Sequence, residues 1–433
     1  MNSPQERPTI VRHKVNALLL LLAAVTYMDR VCIAQMAAPI RADLGLDDRG
    51  MGLVFSAFSI AYALFEVPSG WLIDRFGPRW MLARIVLWWS LLTAATGLAT
   101  GLVSLLVIRF LFGIGEAGSF PGVARVFDRW MPNMAHGRGF GIVLLAGTWA
   151  GFLTQPLVSA LMHHFSWRWV FALCALPGIA WAAVWFLWFR DDPADHRGVN
   201  EAEKRLLAHG RDIAAHPDIP WRKLIGSPNV WWLWLMYFGI IYGWYFYLQW
   251  LRQFVDAAQI GTGEQRAWLS GLPMLGLGAG VFCGGILTDF LVPRMGLRRG
   301  RRLPGLCGLP AAAAFLLLAW QNGANPAAVW CMTAAAFCSA LGVAPGWAVC
   351  LDIGREYAGT VSGSMNMFGN LGGALIPIVT GYSRAGTGSW TPALLSMAFC
   401  YLLAALAWAF IDPTKRILTS GSSPNSLGSA DDS

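Results

Sequence analysis

The chain has 433 residues, of which 56% are apolar and 13% are charged, and its formal net charge is +8. A soluble protein of this length would form about three domains and carry roughly a quarter charged residues. Here the charges are separated by apolar runs of about 20 residues, the length of a helix that crosses a bilayer. This composition excludes a secreted disulfide scaffold, a DNA-binding domain and an ordinary cytosolic enzyme. It leaves transporters, channels, membrane-embedded enzymes and receptors.

Apolar stretches between Gly, Pro and charged positions predict twelve transmembrane helices. Because a helix satisfies its own backbone hydrogen bonds, each stretch can cross a hydrocarbon core of about 30 Å. Together they predict an all-α membrane protein. The predicted spans are residues 15–39, 51–73, 80–101, 103–124, 138–162, 168–189, 229–254, 266–290, 303–320, 326–350, 359–382 and 391–411.

Lys and Arg are concentrated on one side of the predicted membrane. If Met1 is cytoplasmic, most of the 32 Lys and Arg fall in cytoplasmic segments, including the tail 1–14 and the polar stretch 190–228. The positive-inside rule therefore predicts that both termini are cytoplasmic. Residues 413–433 are rich in Ser, Gly, Asp and Asn, a composition that predicts a disordered cytoplasmic tail.

Neither the cysteines nor the glycine motif of this chain indicates a cofactor. The eight cysteines fall in or beside apolar spans without a CxxC or His-rich spacing, which is typical of small buried side chains. Gly113, Gly115 and Gly118 fit a dinucleotide-binding pattern, but they continue an apolar helix that no strand precedes. We therefore expect close-packing glycines, no cofactor, no metal and no nucleic-acid partner.

A short loop motif occurs twice in the chain. GWLIDRFGPR (70–79) lies between the second and third predicted spans, and GILTDFLVPR (285–294) lies between the eighth and ninth. Gly, Leu, Asp, Pro and Arg match at one constant offset, close to half the chain. The polar stretch 190–228 separates six spans from six, which predicts two similar bundles, 15–189 and 229–412. Two such halves around a central site are what an alternating-access carrier requires.

The repeated loop also predicts a gate on the cytoplasmic side. An Asp at the end of a span can accept hydrogen bonds from the N-terminus of a neighbouring helix and can pair with Arg. Such contacts would hold the two halves together while the cytoplasmic side is closed. The predicted gating residues are Asp74, Arg75, Arg79, Asp289 and Arg294.

The paired loops resemble the signature of the major facilitator superfamily, and further segments resemble its anion:cation symporter branch. That branch includes bacterial carriers for galactonate, glucarate and hexuronates. The resemblance implies a major facilitator fold of twelve helices, a monomer in a bacterial inner membrane, and import of a sugar acid with protons. The segments are YMDR (27–30), VFSAFSIAYALFEVPSGW (54–71), RFLFGIGEAGSFPG (109–122) and SGSMN (362–366).

Five ionisable residues lie deep within predicted spans of the first half, where each costs at least about 2.5 kcal/mol. Arg30 and Arg109 lie at about the same depth, so their two guanidinium groups could together hold a carboxylate. The alternative is that each Arg pairs with a carboxylate and only stabilises the bundle. The resemblance favours Arg30 as the direct ligand of the substrate carboxylate. The five are Asp29, Arg30, Glu66, Arg109 and Glu116.

Two of these carboxyl groups are predicted to couple protons. Glu116 follows Arg109 by two turns and lies on nearly the same helix face, so an anion bound at Arg109 would make protonation of Glu116 easier. Asp29 matches a second titrating group of the sugar-acid symporters; its alternative is a permanently ionised partner of a nearby donor. One co-imported proton cancels the cost of moving a negative charge into an inside-negative cell, about 2.3 kcal/mol per 100 mV.

Hydroxyl, amide and indole groups on other spans complete the predicted substrate site. The resemblance carries over Tyr62, Trp347 and Asn366 as substrate-binding residues. Tyr242 and Asn370 add groups suited to a polyol chain. Alternatives stay open for both kinds of residue, because a Tyr-rich span can form an interfacial belt or pack in the core, and the two Asn can bridge helices.

Two positions depart from the galactonate-like pattern. Glu66 stands where those carriers commonly have a neutral Gln, and this third carboxylate could bind substrate or couple protons. Gly147 matches the position of their substrate-binding Gln. A smaller or more aromatic acid would tolerate the loss of that amide.

These residues predict a carrier and not an enzyme, with no catalytic residues. Its substrate would be a small organic anion, with hexonates, hexarates and hexuronates as first candidates and aromatic or dicarboxylic acids as alternatives. Export by proton antiport is a weaker alternative, because span 138–162 lacks the Gly-Pro antiporter signature. A membrane-embedded enzyme or receptor would need catalytic or signalling residues that the sequence does not show.

Overall fold

The computed structural model describes residues 7–131, 136–207, 221–323, 325–354 and 357–417, and within these ranges the chain is helical without strands. A 3-10 turn, Pro193–Asp195, lies between the helices that end at Trp188 and begin at Glu201. The helices are α1 (Val11–Gln35), α2 (Ala37–Leu44), α3 (Asp48–Phe76), α4 (Pro78–Thr96), α5 (Leu102–Glu116), α6 (Ser119–Trp130), α7 (His136–Met162), α8 (Trp167–Trp188), α9 (Glu201–Leu207), α10 (Trp221–Ile225), α11 (Pro228–Gln249), α12 (Leu251–Ala257), α13 (Gly263–Asn322), α14 (Pro326–Ala340), α15 (Val343–Gly354), α16 (Ala358–Thr387) and α17 (Thr391–Phe410).

The helices confirm the predicted all-α class. Among the described residues, eight segments are long and apolar enough to cross a membrane. Each of the twelve predicted spans falls on helix, and the number of crossings stays a prediction. The eighth and ninth predicted spans both lie in α13, which bends at Gly296, where φ is 80°. Only one predicted span extends clearly beyond its helix: span 80–101 continues past α4, which ends at Thr96.

Several predicted spans are interrupted. α5 ends at Glu116, and α6 begins at Ser119 after Gly118, which adopts a left-handed conformation with φ of 93°. Similar breaks separate α1 from α2 and α14 from α15. The predicted spans run through each of these breaks, so the sequence analysis did not reveal them. Interrupted helices in carriers place backbone and side-chain groups at the central site, and here the break leaves Glu116 at a helix end.

Contacts among the helices fall into two groups. α1 packs on α7 and α8, and α3 packs on α5, while α11 packs on α16 and α17, and α13 packs on α14. The principal contacts between these groups join α3 to α16 and α7 to α13. We call the helices before α9 the first half and those after α10 the second half. The predicted boundary 190–228 lies between them, with 208–220 outside the described residues.

The start of the linker is fastened to the start of α1. The Glu203 side chain is fully buried, accepts a hydrogen bond from the Arg12 backbone N–H (3.1 Å), and also accepts one from the Thr9 hydroxyl. Asn200 Oδ1 accepts from the Thr9 backbone N–H at 3.2 Å. These contacts satisfy donors in the first turn of α1, where a carboxylate also interacts favourably with the helix dipole.

We expect Glu203→Ala to lower the melting temperature of the detergent-solubilised protein by several degrees. The substitution leaves buried donors at the start of α1 without an acceptor, a cost of about 1–3 kcal/mol. Glu201→Ala is the matched control, because Glu201 is exposed and forms its ion pair with Lys204 of the same helix, at 2.8 Å. Equal melting temperatures for the two variants would contradict a stabilising role for Glu203.

Candidate functional site

The two halves are in tight contact at the end of the bundle opposite the start of α1. Ser56 Oγ donates to the Ala374 backbone O at 2.7 Å, and Gln35 Nε2 donates to Ser270 Oγ at 3.2 Å. Gly52 permits the close approach of α3 and α16, since a Cβ there would lie 2.5 Å from the backbone O of Pro377. This end of the path between the halves is closed.

A cavity lies between the halves beyond this closed end. It contains about 490 Å³ of empty space, including the part that is open to solvent. Seven of its lining residues are aromatic, and Arg30 is the only ionisable acid or base among the rest. The lining residues are Tyr27, Arg30, Tyr62, Phe120, Leu144, Tyr237, Ile241, Trp244, Tyr245, Val343, Trp347, Asn366 and Asn370.

The path opens on the other side of the cavity, toward the start of α16. Asn366 and Asn370 lie one turn apart on the face of α16 that lines the cavity. Gly359 and Gly363 continue this face at helical spacing, and a Cβ at either position would have no neighbour within 4 Å among the residues that the structure describes. The open space therefore extends from the cavity toward the end of the bundle where α1 begins.

Arg30 of α1 is 8% exposed, and its guanidinium is surrounded by aromatic rings. Its Cζ lies 4.9 Å from the ring centroid of Tyr62 and 5.3 Å from that of Phe58. The Nε–H donates to Oε1 of Glu116 at the end of α5. Arg30 thus combines a fixed carboxylate partner, cation–π contacts and access to the cavity.

The structure pairs Glu116 with Arg30, whereas the sequence had suggested Arg109 as its neighbour. Glu116 is fully buried, and among the described residues its second oxygen, Oε2, has no hydrogen-bond partner. Arg109 does not line the cavity; its Cζ lies 4.4 Å from the Phe112 centroid and 5.3 Å from that of Phe58. Both guanidinium groups therefore contact Phe58, but only Arg30 reaches the cavity.

Asp29 is fully buried on the side of α1 away from the cavity. Its carboxyl group lies near the indole of Trp89 and within electrostatic range of Arg109 and Glu116. The structure thus brings Asp29, Arg109, Arg30 and Glu116 into one buried group of charges inside the first half. Only Arg30 in this group touches the cavity.

The α16 wall of the cavity contains both predicted Asn residues. Asn366 Nδ2 donates to Oε1 of Glu66, so this hydrogen bond joins the two halves. Asn370 Nδ2 donates to the Asn366 backbone O at 2.9 Å, and Tyr245 O–H donates to Asn370 Oδ1 at 2.7 Å. Both Asn residues therefore bridge helices and also line the cavity, while Glu66 is buried outside the lining.

The remaining predicted ligands separate into two groups. Tyr62 and Trp347 line the cavity; the Tyr62 hydroxyl has no hydrogen-bond partner in the described part of the chain, and Trp347 Nε1 donates to the Tyr237 hydroxyl at 3.1 Å. The structure does not bring Tyr242 to the cavity. Its hydroxyl donates to Ser396 Oγ on α17 at 2.9 Å, which is a contact within the second half.

Sequence reasoning missed three cavity-lining residues of α11, Tyr237, Ile241 and Trp244. They recur at helical spacing and line the cavity together with Tyr245, which the Tyr-rich span had offered as a candidate. Tyr242 is rotated by about 100° from the centre of this face. The spacing of aromatic residues was the available signal, but which face of an apolar helix turns inward depends on packing that the pattern does not encode.

Gly147, the position that the resemblance matches to a substrate-binding Gln, packs against Tyr27. A Cβ at Gly147 would lie 2.5 Å from Cδ2 of the Tyr27 ring. Tyr27 itself precedes Arg30 by one turn and lines the cavity. An aromatic ring from α1 therefore fills the space beside α7 that a longer side chain would need.

We expect Gly147→Ala to lower the melting temperature, because the added methyl group overlaps the Tyr27 ring and overpacking costs about 1–3 kcal/mol. Gly141→Ala on the same helix is the control, since a Cβ there meets nothing within 4 Å. Thermal unfolding of both variants in detergent measures the difference. A Gly147→Ala protein as stable as Gly141→Ala would show that α1 and α7 are not in close contact.

The predicted gating residues lie at the open end of the path. Asp74 is 3.9 Å from Arg125 of α6, in its own half, and Arg294 Nη1 donates to the Phe290 backbone O at 2.9 Å. The Arg79 backbone N–H donates to Asp191 Oδ1 at 2.8 Å. Burial raises the pKa of Asp191, and the hydrogen bond from Arg79 opposes this rise. Arg75 stacks on Trp71 with 5.4 Å between Cζ and the ring centroid, and Asp289 contacts other described residues.

A helical bundle with a cavity between two halves is an arrangement typical of membrane transporters. The profile of the Major Facilitator Superfamily matches residues 19–377, and the chain belongs to this family. Among solved structures, the chain is similar to a bacterial homologue of the human lysosomal transporter Spinster in an inward-facing, unoccupied conformation. That similarity has a TM-score of 0.70 at 20% identity and covers 92% of this chain and 96% of the other.

Curated relatives cover nearly the whole chain. A probable sulfoacetate transporter of Cupriavidus necator is 33% identical, over 93% of this chain and 94% of its own length. A probable galactarate/D-glucarate transporter of Bacillus subtilis is 30% identical, over 96% and 95%. A D-galactonate transporter of Escherichia coli is 29% identical, over 94% and 96%. The relatives confirm the expected resemblance to bacterial carriers of this branch.

Proposed function

We propose that this chain is a proton-coupled symporter that imports a small organic anion, with a sugar acid as the first candidate, by alternating access. The observation that carries the proposal is the position of Arg30, a largely buried cation on the wall of a central cavity. A guanidinium at this depth is costly unless it has a partner, and its fork of donors suits a carboxylate. The three relatives named above are all transporters of acids, which supports an anionic substrate.

Replacement of Glu116 by the substrate carboxylate as the partner of Arg30 would couple substrate binding to proton uptake. Without substrate, Glu116 neutralises Arg30 through Oε1. When a substrate carboxylate binds the same guanidinium, Glu116 loses its counter-charge in a buried site, and taking up a proton removes the resulting repulsion. Anion binding and protonation of Glu116 therefore favour each other, which is the thermodynamic requirement for symport.

Asp29 is the proposed second proton site, and Arg109 links it to the first. Arg109 lies within electrostatic range of both Asp29 and Glu116, so protonation at one carboxyl group alters the field at the other. Two protons per monovalent anion would make uptake electrogenic, and the membrane potential would then drive it. Arg109 acts in this proposal through the charge network and not as a direct substrate ligand.

The proposed orientation places both termini in the cytoplasm of a bacterial cell, with the chain as a monomer in the inner membrane. The open end of the cavity then faces the cytoplasm and the contacts near Gly52 close the periplasmic side. Asp74 and Asp289, with Arg75, Arg79 and Arg294, would hold the two halves together while the cytoplasmic side is closed. In the described conformation Asp74 lies 3.9 Å from Arg125 of its own half.

Carboxylates other than sugar acids form the second candidate class. Seven aromatic residues line the cavity, and the Tyr27 ring fills space beside Gly147. Stacking surfaces of this kind accept an aromatic or a shorter acid as readily as a polyol chain. The same coupling route through Arg30 and Glu116 would serve either class.

Uptake into proteoliposomes tests the proposed function. Purified protein would be offered hexonates, hexarates, hexuronates, aromatic acids and short sulfonated acids, with and without an inward proton gradient. We expect at least one acid to accumulate only with the gradient, and a protonophore to abolish accumulation. Accumulation driven by an outward proton gradient would indicate antiport, and chemical conversion of a substrate would indicate an enzyme.

A further inference from the structure

A chain of hydrogen bonds along one wall of the cavity begins at a carboxylate from the opposite half. Glu66 of α3 accepts from Asn366 Nδ2, Asn370 Nδ2 donates to the Asn366 backbone O, and Tyr245 donates to Asn370 Oδ1. Asn366, Asn370 and Tyr245 line the cavity, whereas Glu66 does not and is only 2% exposed. Glu66 is thus in a position to orient a ligand-binding residue without itself touching the ligand.

This arrangement fixes which end of the Asn366 amide faces a ligand. A carboxylate oxygen accepts hydrogen bonds, so Glu66 Oε1 selects the NH₂ group of the amide. The amide oxygen of Asn366 then remains for the cavity. Asn370 cannot supply a replacement donor easily, because its NH₂ group is bound to the Asn366 backbone and its oxygen accepts from Tyr245.

The two halves therefore present different chemical groups to the cavity. The first half contributes the guanidinium of Arg30, and α16 contributes an amide oxygen with a buried carboxyl group next to it. An acid held by Arg30 can donate a hydroxyl hydrogen to the amide oxygen. A second carboxylate at the same place would meet the lone pairs of the Asn366 amide oxygen and would gain no donor from this amide.

We propose that Glu66 is a positioning residue that makes this carrier select monocarboxylates with a distal hydroxyl group over dicarboxylates of the same length. The inference rests on the proposed function and divides its substrate class, because hexonates would be accepted and hexarates rejected. It assigns a consequence to the carboxylate that replaces the Gln of galactonate-like carriers. It also separates this chain from relatives named as galactarate/D-glucarate transporters, with which it shares about 30% of residues.

Matched acid pairs test this selection directly. Gluconate and glucarate, galactonate and galactarate, and glycerate and tartronate each differ only by oxidation of the terminal CH₂OH group to a carboxylate. Competition against substrate exchange in proteoliposomes gives an inhibition constant for each acid. For the wild-type protein we expect the monocarboxylate to bind at least about tenfold more tightly within each pair that binds, a difference of about 1.4 kcal/mol.

Replacing Glu66 should change the ratio of the two inhibition constants within a pair more than it changes the rate of transport. In Glu66→Gln the new amide can donate as well as accept, so Asn366 can turn its NH₂ group to the cavity. We expect the ratio to fall to within about threefold, mainly through tighter binding of the dicarboxylate. Glu66→Asp keeps a carboxyl group and should keep most of the discrimination, and Glu264→Gln, at an exposed carboxyl group on α13, should leave the ratio unchanged.

Equal binding of both members of each pair by the wild-type protein would overturn the inference while leaving acid transport intact. An unchanged ratio in Glu66→Gln would also overturn it. If Glu66→Gln does not fold, Asn366→Ala tests the same amide. It should weaken binding of the monocarboxylate and remove the repulsion of the dicarboxylate, so the ratio of the two inhibition constants should fall. Failure of every acid in the panel to bind the wild-type protein would contradict the proposed function instead.

Discussion

Arg30→Ala should lose substrate binding by at least about 100-fold, which corresponds to nearly 3 kcal/mol. The proposed substrate carboxylate has no other cation in the cavity lining, because Arg109 lies outside it. Arg30→Lys should recover part of the affinity, since it restores the charge but not the planar fork of donors. Isothermal titration calorimetry of the purified protein measures the substrate affinity of both variants without any requirement for transport.

A control separates loss of binding from loss of folding. Arg30→Ala leaves Glu116 without its counter-charge, so the double variant Arg30→Ala, Glu116→Gln removes both members of the buried pair. It should fold and still fail to bind. Arg49→Gln, at the start of α3 beside Tyr382, should bind normally. Wild-type affinity in a folded Arg30→Ala protein would remove Arg30 from the substrate site.

Glu116→Gln should retain substrate exchange but lose accumulation driven by a proton gradient. The Gln oxygen can still accept from Arg30, so the site keeps its shape, but it cannot bind and release a proton. We expect exchange within about threefold of wild type and accumulation no higher than equilibrium. Parallel measurements of exchange and of net uptake in proteoliposomes compare the two activities.

The outcome for Glu116→Asp completes this comparison. A shorter carboxyl group can still titrate, so we expect some gradient-driven accumulation to remain. Full accumulation by Glu116→Gln would exclude Glu116 as the coupling group. In that case Asp29→Asn, tested in the same way, would become the informative variant.

The fold could be predicted because membrane helices follow local rules. Twenty apolar residues in a row predict a helix wherever they occur, and the repeated loop at Asp74 and Asp289 predicted the division into halves. The breaks at Met36 and Gly118 were not predicted, since the apolar spans are long enough to continue past them and neighbouring helices compensate for the interruption.

The sequence predicted which single residues lie at the central cavity, but not which residues contact each other there. Arg30, Tyr62, Trp347, Asn366 and Asn370 were all expected at the substrate site, and all line the cavity. Their assignment as substrate ligands stays a prediction. Depth along a helix follows from residue number at 1.5 Å per residue, which is why positions in the middle of spans could be recognised.

Partnerships between helices required the structure. Spacing within one helix suggested Arg109 as the neighbour of Glu116. In the structure the arrangement of α1 and α5 instead places Arg30 where its Nε–H donates to Glu116. The hydrogen bond between Glu66 and Asn366 joins residues 300 positions apart in different halves. No periodicity in the sequence encodes the rotation of one helix against another or the register of one half against the other.

The central claim is that an organic anion and protons cross the membrane together, and proton entry measured with a pH-sensitive dye inside proteoliposomes tests it most directly. With no imposed proton gradient, addition of the transported acid outside should acidify the interior of wild-type vesicles, and the signal should disappear in Glu116→Gln vesicles that still exchange substrate. Entry of the acid into wild-type vesicles without a change of internal pH would contradict the account.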